Sequence, residues 1–205
     1  MLNIALPKGR LAGEVLAKMA KSGYSTDLNT GSRKLVVHDP GGKFACFLVK
    51  PSDVAAYVLH GAADIGVTGK DILLETRPDV YELLDLGLGV CKMVVAGPAG
   101  FSQPEGILKV ATKYPNIAEK YYSEKGREIE LIPLSGSIEL APLVGLSDVV
   151  VDIVQTGSTL RDNNLIILDE IMQVSARLIA NIASSKFKAD LIAEITSQLT
   201  VDNEQ

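Results

Sequence analysis

Apolar residues follow two rhythms along this chain: short unbroken runs bounded by glycine, proline or charge, and stripes at helical spacing. Leu2 to Leu6 is apolar apart from Asn3, as a strand covered on both faces would be, and Leu11, Val15, Leu16 and Met19 then share one helical face that Gly23 ends. Leu35 to Val37 and Phe44 to Val49, joined by Asp39-Pro40-Gly41-Gly42, predict a hairpin. Ser52 or Asp53 is placed to cap a helix over Val54 to His60, which Gly61 closes. A short strand within Ala63 to Asp71 ends in a glycine turn, and a helical piece follows over Ile72 to Glu75. Val80 to Leu86 and Cys91 to Ala96 read as strands on either side of Gly87 and Gly89.

Gly97-Pro98-Ala99-Gly100 is the clearest flexible punctuation, and a lobe boundary is expected near Val90. Beyond it come a strand (Leu108 to Thr112), a helix opened by an Asn116–Glu119 capping pattern, a strand (Glu128 to Ile132), a Ser135-Gly136-Ser137 loop and a short helix over Ile138 to Val144. This β-α-β rhythm predicts parallel sheet. Leu165 to Leu168 and Ile171 to Ile182 are strand-like, and Phe187, Leu191, Ile195 and Leu199 form a helical stripe suited to a core or an interface. The expected division is residues 1–90 plus 170–205 in one lobe and 91–169 in the other.

The chemistry concentrates in Asp148 to Asn164, where the β-branched run Val149 to Val151 leads through Asp152 into Gln155-Thr156-Gly157-Ser158-Thr159 and then Leu160 and Arg161. A strand, a small polar loop and a helix start together make an anion site: glycine allows close backbone approach, hydroxyls donate, and the first helical N–H groups are free. The same order is also an ordinary way to end a strand and cap a helix. Asp152 tilts the balance, because a carboxylate among apolar neighbours needs a partner such as a sugar hydroxyl, a metal or a cation. Loop and acid together suit a phosphorylated sugar. Lys8, Gly9 and Arg10 follow the first strand, where open α/β sheets bind ligands, and Thr68-Gly69 forms a second small polar loop at a strand end. Arg33 and Lys34 precede the hairpin, and for Lys34 plain decoration of its open end suffices.

Composition narrows the choice of function. A chain of 205 residues, 47% hydrophobic and 22% charged, suits one globular unit or two small lobes. A net charge of −5 argues against general nucleic-acid binding. The run before Pro7 is too short for a signal peptide and no segment approaches a membrane span, so a cytoplasmic protein is expected. Cys46 and Cys91 lack a CxxC partner and read as buried free thiols, while His38 and His60 lack ligand spacing. No dinucleotide fingerprint, P-loop or nucleophile elbow occurs.

Six segments then add up to a resemblance: LPKGRL (Leu6 to Leu11), SRKL (Ser32 to Leu35), ADIGVTGKD (Ala63 to Asp71), ATKYPN (Ala111 to Asn116), GSIELAPLVGLSD (Gly136 to Asp148) and VDIVQTGSTLRDNNL (Val151 to Leu165). Together, and in order over nearly the whole chain, they resemble ATP phosphoribosyltransferase of histidine biosynthesis. The resemblance implies an α/β fold of two lobes of mainly parallel sheet flanked by helices, like type II periplasmic binding proteins, with a cleft between the lobes. It implies transfer of the 5-phosphoribosyl group from phosphoribosyl pyrophosphate to the adenine ring of ATP, releasing pyrophosphate. Mg²⁺ would travel on the substrate phosphates, with no dedicated protein metal site. Because the chain ends soon after the Phe187 to Leu199 stripe, it resembles the short form, which works as a homodimer within a hetero-oligomer with a histidyl-tRNA-synthetase-like regulatory subunit.

The expected roles follow: Thr156, Gly157, Ser158 and Thr159 for the 5-phosphate, Asp152 for the ribose hydroxyls, Lys8, Arg10 and Arg33 for polyphosphate, and Glu139 near the ribose or adenine. Thr68 and Gly69 are further substrate-binding candidates. Gln155 departs from the family, which usually has an acid there; glutamine can hydrogen-bond a ribose but adds no charge, and Asp152 and Glu139 are expected to compensate. A non-catalytic ligand-binding module of the same fold and a purine-salvage phosphoribosyltransferase are the alternatives. The cations at Lys8, Arg10 and Arg33 favour a second polyanionic substrate over a free base.

Overall fold

The computed structural model describes residues 1–21 and 35–200. Packing divides the chain into two compact units, Met1–Leu73 with Arg77–Gly89 and Ser175–Gln205, and Leu74–Thr76 with Val90–Val174. The expected helix end at Gly23 and the residues Arg33 and Lys34 fall outside the described residues.

In the first unit the order is β1 (Leu2–Pro7), α1 (Arg10–Lys21), β2 (Val36–His38), β3 (Phe44–Val49), a 3-10 turn (Pro51–Asp53), α2 (Val54–Leu59), β4 (Ile65–Gly69), α3 (Lys70–Thr76), whose last residues Leu74–Thr76 group with the second unit, and β5 (Tyr81–Asp85). The second unit then supplies β6 (Cys91–Pro98), β7 (Leu108–Thr112), α4 (Pro115–Glu124), β8 (Ile129–Pro133), α5 (Leu140–Leu143), β9 (Val149–Val154), α6 (Ser158–Asp162) and β10 (Leu165–Val174). β11 (Ala176–Ala180), α7 (Ile182–Phe187) and α8 (Ala189–Thr200) complete the first unit.

The first sheet runs β2-β3-β1-β4-β11-β5, and its centre is parallel: β1 pairs in that sense with both β3 and β4. β2, β11 and β5 join antiparallel, so parallel strands form the centre and antiparallel strands the flanks. β1 is buried on nearly every residue because helices cover both faces, which explains its unbroken apolar run. Leu2, Ile4 and Leu6 meet Val15 and Met19 of α1 and Ile192, Ile195 and Leu199 of α8 in one core. A partly buried ion pair, Asp64 with Lys188, ties α7 and α8 to this unit's sheet. Asp64 is 4% exposed and accepts from the Asn3 N–H (2.7 Å), Ser184 Oγ (2.6 Å) and Lys188 Nζ (2.7 Å).

In the second sheet, β10-β6-β9-β7-β8, the parallel part is β9-β7-β8 and the antiparallel part β10-β6-β9. Val94, Ala96, Ala111 and Val150 on one face of this sheet pack against Ile138, Ala141 and Leu160. That face carries the candidate site.

Four local expectations change. The Asn116–Glu119 capping box does not form: α4 starts at Pro115 with Tyr114 as its N-cap, because proline is pre-organised for the first helical position. Leu165 to Val174 is one strand, not two, and bulges against β6 between Ile167 and Asp169 and between Glu170 and Met172 break its alternation. Phe187 leaves the expected stripe: it ends α7, 87% exposed, while Ile195 and Leu199 are buried as expected, joined by Ile192, with Leu191 half-buried. Cys46 is buried as expected, whereas Cys91, first residue of a strand, is only half-buried.

Candidate active site

β9 delivers the site. Val149, Val150 and Val151 are buried, and Asp152 is the first residue of the strand to emerge, half-buried. Asp152 faces a pocket of about 260 Å³ whose wall also includes Glu139, Gln155 and the loop from Thr156 to Thr159. One Asp152 Oδ1 accepts from the following Ile153 N–H at 2.8 Å, which holds the carboxylate close to the strand end.

The loop turns through Gly157, at φ +70° and ψ 9°, a left-handed conformation that glycine adopts without the cost borne by a residue with Cβ. α6 begins at the next residue, so its first N–H groups have no intrahelical acceptor and surround the turn. Thr156 Oγ1 lies 3.0 Å from Ser158 Oγ, a hydroxyl pair on one side of the loop. Arg161 folds back from the end of α6 and donates from Nη1 to the Thr156 carbonyl at 3.1 Å. That contact turns the carbonyl toward the guanidinium. An anion meeting this loop therefore finds hydroxyls and amide N–H groups.

Glu139, Asp152, Gln155, Thr156, Gly157, Ser158 and Thr159 are thus brought together on one pocket. Lys8, Arg10, Thr68 and Gly69 belong to the first unit. There Lys8 and Arg10 follow β1, while Thr68 and Gly69 close β4, its parallel neighbour, so the two loops leave the sheet at the carboxyl ends of adjacent strands. Lys8 is exposed, and Arg10 pairs with Glu14 at 3.1 Å one helical turn on. Thr68 is 1% exposed, and its Oγ1 finds no hydrogen-bond partner among the described residues. A Cβ at Gly69 would sit 2.0 Å from Asp71 Oδ1, so any larger residue there requires the Asp71 carboxylate to move. Arg33 lies outside the described residues.

One residue beside the loop is not legible from the sequence. Arg161 stands inside the motif at a position that opens a helix, but its return onto the loop needs a helix of 5 residues, a length the sequence does not announce.

Residues 50–201 match the family model described as HisG: ATP phosphoribosyltransferase. The chain belongs to the ATP phosphoribosyltransferase family. It is 54% identical over 196 residues to the ATP phosphoribosyltransferase of Clostridioides difficile, covering 95% of this chain and 94% of that one. To the enzyme of that name from Brachyspira hyodysenteriae it is 52% identical over 202 residues, covering 97% and 98%. A solved chain of the ATP phosphoribosyl transferase (HisG:HisZ) complex from Thermotoga maritima superposes with a TM-score of 0.84 at 40% identity, covering 97% of this chain and 96% of that one. The alkanesulfonate-binding protein SsuA from Xanthomonas axonopodis pv. citri superposes at 0.61 with 14% identity, over 97% of this chain and 71% of that one. This last likeness is one of fold, and it supports the type II periplasmic-binding-protein architecture.

Proposed function

We propose that this ATP phosphoribosyltransferase binds phosphoribosyl pyrophosphate on the Asp152 to Thr159 stretch and transfers its 5-phosphoribosyl group to the adenine ring of ATP, the first step of histidine biosynthesis. The observation that carries the site assignment is a carboxylate, a hydroxyl pair and a left-handed glycine turn on one pocket at the end of one strand. An adenine ring nitrogen forms the new bond to the anomeric carbon with its own lone pair, and the bond from that carbon to the pyrophosphate oxygen breaks. Positive charge develops on the ribose and negative charge on the leaving group. Asp152 and Glu139 offer the negative field that steadies the first, and Lys8, Arg10 and Arg33 are the cations assigned to the second. Thr156 to Thr159 hold the 5-phosphate, and Thr68 and Gly69 complete the substrate contacts. Positioning carries most of the catalysis, since the nucleophile needs no deprotonation.

Mg²⁺ fits this donor set. It binds proteins through one or two carboxylates plus substrate phosphates, and Asp152 and Glu139 are hard oxygen donors on the pocket wall. When bound it would neutralise the pyrophosphate. The family resemblance assigns the chain to a homodimer within a hetero-oligomer with a histidyl-tRNA-synthetase-like regulatory subunit, and the HisG:HisZ complex from Thermotoga maritima supports a HisZ-type partner. We place it in the cytoplasm with its pathway; no helix among the described residues is long and apolar enough to cross a membrane.

The test is to incubate the chain with phosphoribosyl pyrophosphate, Mg²⁺ and either ATP or a free purine base, with and without the regulatory subunit, and to follow pyrophosphate and nucleotide product. Turnover with ATP is expected. Turnover on the free base alone would overturn the assignment.

A further inference from the structure

Thr112 closes β7 at the point where the strand leaves its sheet: the last residue pair it makes with β9 is Thr112 with Val151. Past that pair β7 offers β9 no further backbone donors, yet the Val151 carbonyl is buried and one peptide away from Asp152. The Thr112 side chain supplies the donor. Its Oγ1 donates to the Val151 carbonyl at 2.7 Å and accepts from the Tyr114 N–H at 2.8 Å. Thr112 is fully buried and Tyr114, the N-cap of α4, is 2% exposed, so water is not at hand to replace either bond. On the other side, the Thr112 carbonyl accepts from the Leu134 N–H at 2.9 Å where β8 ends. One hydroxyl therefore ties the end of β7 and the start of α4 to the peptide that carries Asp152.

We propose that Thr112 is a positioning residue for phosphoribosyl pyrophosphate, acting through the Val151–Asp152 peptide to set where the Asp152 carboxylate meets the ribose hydroxyls. The proposal rests on the assignment of Asp152 to the ribose. Valine has nearly the same shape as threonine but leaves a buried carbonyl and a buried N–H unpaired, and the end of β9 must shift or admit water to satisfy them. Such a shift falls on Asp152 first. A role confined to packing would lower stability without singling out one substrate.

The experiment compares Thr112→Val, Thr112→Ser, Asp152→Asn and the Thr112→Val/Asp152→Asn double variant in full-length protein. The readouts are Kd for phosphoribosyl pyrophosphate with Mg²⁺, Kd for ATP and the melting temperature. Thr112→Val is expected to weaken phosphoribosyl pyrophosphate about tenfold or more, since small misplacements of a substrate-fixing group have effects of that size. ATP affinity should stay within about twofold, the scatter of independent sites. Thr112→Ser keeps the hydroxyl and should restore binding. The double variant should bind no worse than Asp152→Asn alone, because Thr112 has no other route to the substrate. Should the valine variant not fold, Thr112→Cys, with a weaker donor of similar size, makes the same comparison. Loss of melting temperature with unchanged phosphoribosyl pyrophosphate affinity, or additive effects in the double variant, would overturn the proposal. Unchanged affinity in Asp152→Asn would overturn the ribose assignment itself, and with it the role of Thr112.

Discussion

Gly157→Ala separates the conformational need for a glycine from its use as a phosphate contact. At φ +70° an alanine carries the strain of a left-handed residue, about 1–2 kcal/mol. Sterics inside the protein add little: the nearest atoms to the new Cβ would be Arg161 Nη1 at 3.4 Å and Val154 Cγ1 at 3.7 Å. A chain of this size loses about 2–4 °C of melting temperature per kcal/mol. Gly145→Ala is the control, with φ +73° and nothing within 4 Å of the added Cβ, so its thermal cost should match. Only Gly157→Ala places a methyl group where a phosphate oxygen approaches the loop. Losing one hydrogen bond to a charged group costs about 1.5–3 kcal/mol. At about 1.4 kcal/mol per decade, Kd for phosphoribosyl pyrophosphate should rise about ten- to a hundredfold. Calorimetric titration and thermal melts of both variants decide. Equal thermal losses with equal, unchanged affinities would refute the phosphate role of the loop.

Gln155→Glu restores a carboxylate beside the developing ribose charge; about 1 kcal/mol at close range predicts about a fivefold gain in kcat/KM for phosphoribosyl pyrophosphate, and an unchanged value would remove position 155 from the ribose contacts. Burial alone would raise the Asp64 pKa, but hydrogen bonds from Lys188, Ser184 and the Asn3 N–H outweigh it and hold the group below its ordinary value. The stability this provides is complete above the unfolded value of about 3.9 and is lost as pH falls through the lower folded value. Asp64→Asn should therefore cost about 1–3 kcal/mol in urea denaturation at pH 7, a range kept modest because the Lys188 side chain is 35% exposed. The gap to wild type should narrow toward pH 2, and a gap constant with pH would contradict the linkage. Burial, with Asp39 adding to it, pushes the Cys46 thiol up to about 12, while Cys91 is half-buried. A thiol reagent at pH 8 should label Cys91 first, and Cys91→Ser should abolish the fast phase; a fast phase that survives would assign it to Cys46.

What the sequence made legible follows from where the physics is local. Fully covered strands such as β1 show as unbroken apolar runs, the β2–β3 hairpin shows in Asp39-Pro40-Gly41-Gly42, and the Asp152 to Thr159 pocket shows because its parts are contiguous. What stayed hidden depends on partners distant in the chain. The Asn116 and Ile117 N–H groups at the start of α4 are met at 3.0 and 3.1 Å by the carboxylate of Glu75, grouped in the same unit, and no spacing rule reaches 41 residues back. The break between α7 and α8 at Lys188 has neither glycine nor proline to mark it, so spacing alone joins Phe187 to the α8 stripe although it ends α7. The bulges of β10 are set by its register with β6, a tertiary property. Thr112 combines both difficulties, since its two hydrogen bonds join a strand end to a peptide 39 residues away and to the N-cap just ahead.

A crystal structure of the full chain with phosphoribosyl pyrophosphate and Mg²⁺ tests the site most directly. The 5-phosphate should lie within hydrogen-bonding distance of the Thr156 to Thr159 hydroxyls and N–H groups, with the ribose hydroxyls on Asp152. A 5-phosphate seated instead on the Lys8-Gly9-Arg10 loop, with Asp152 facing no sugar, would contradict it.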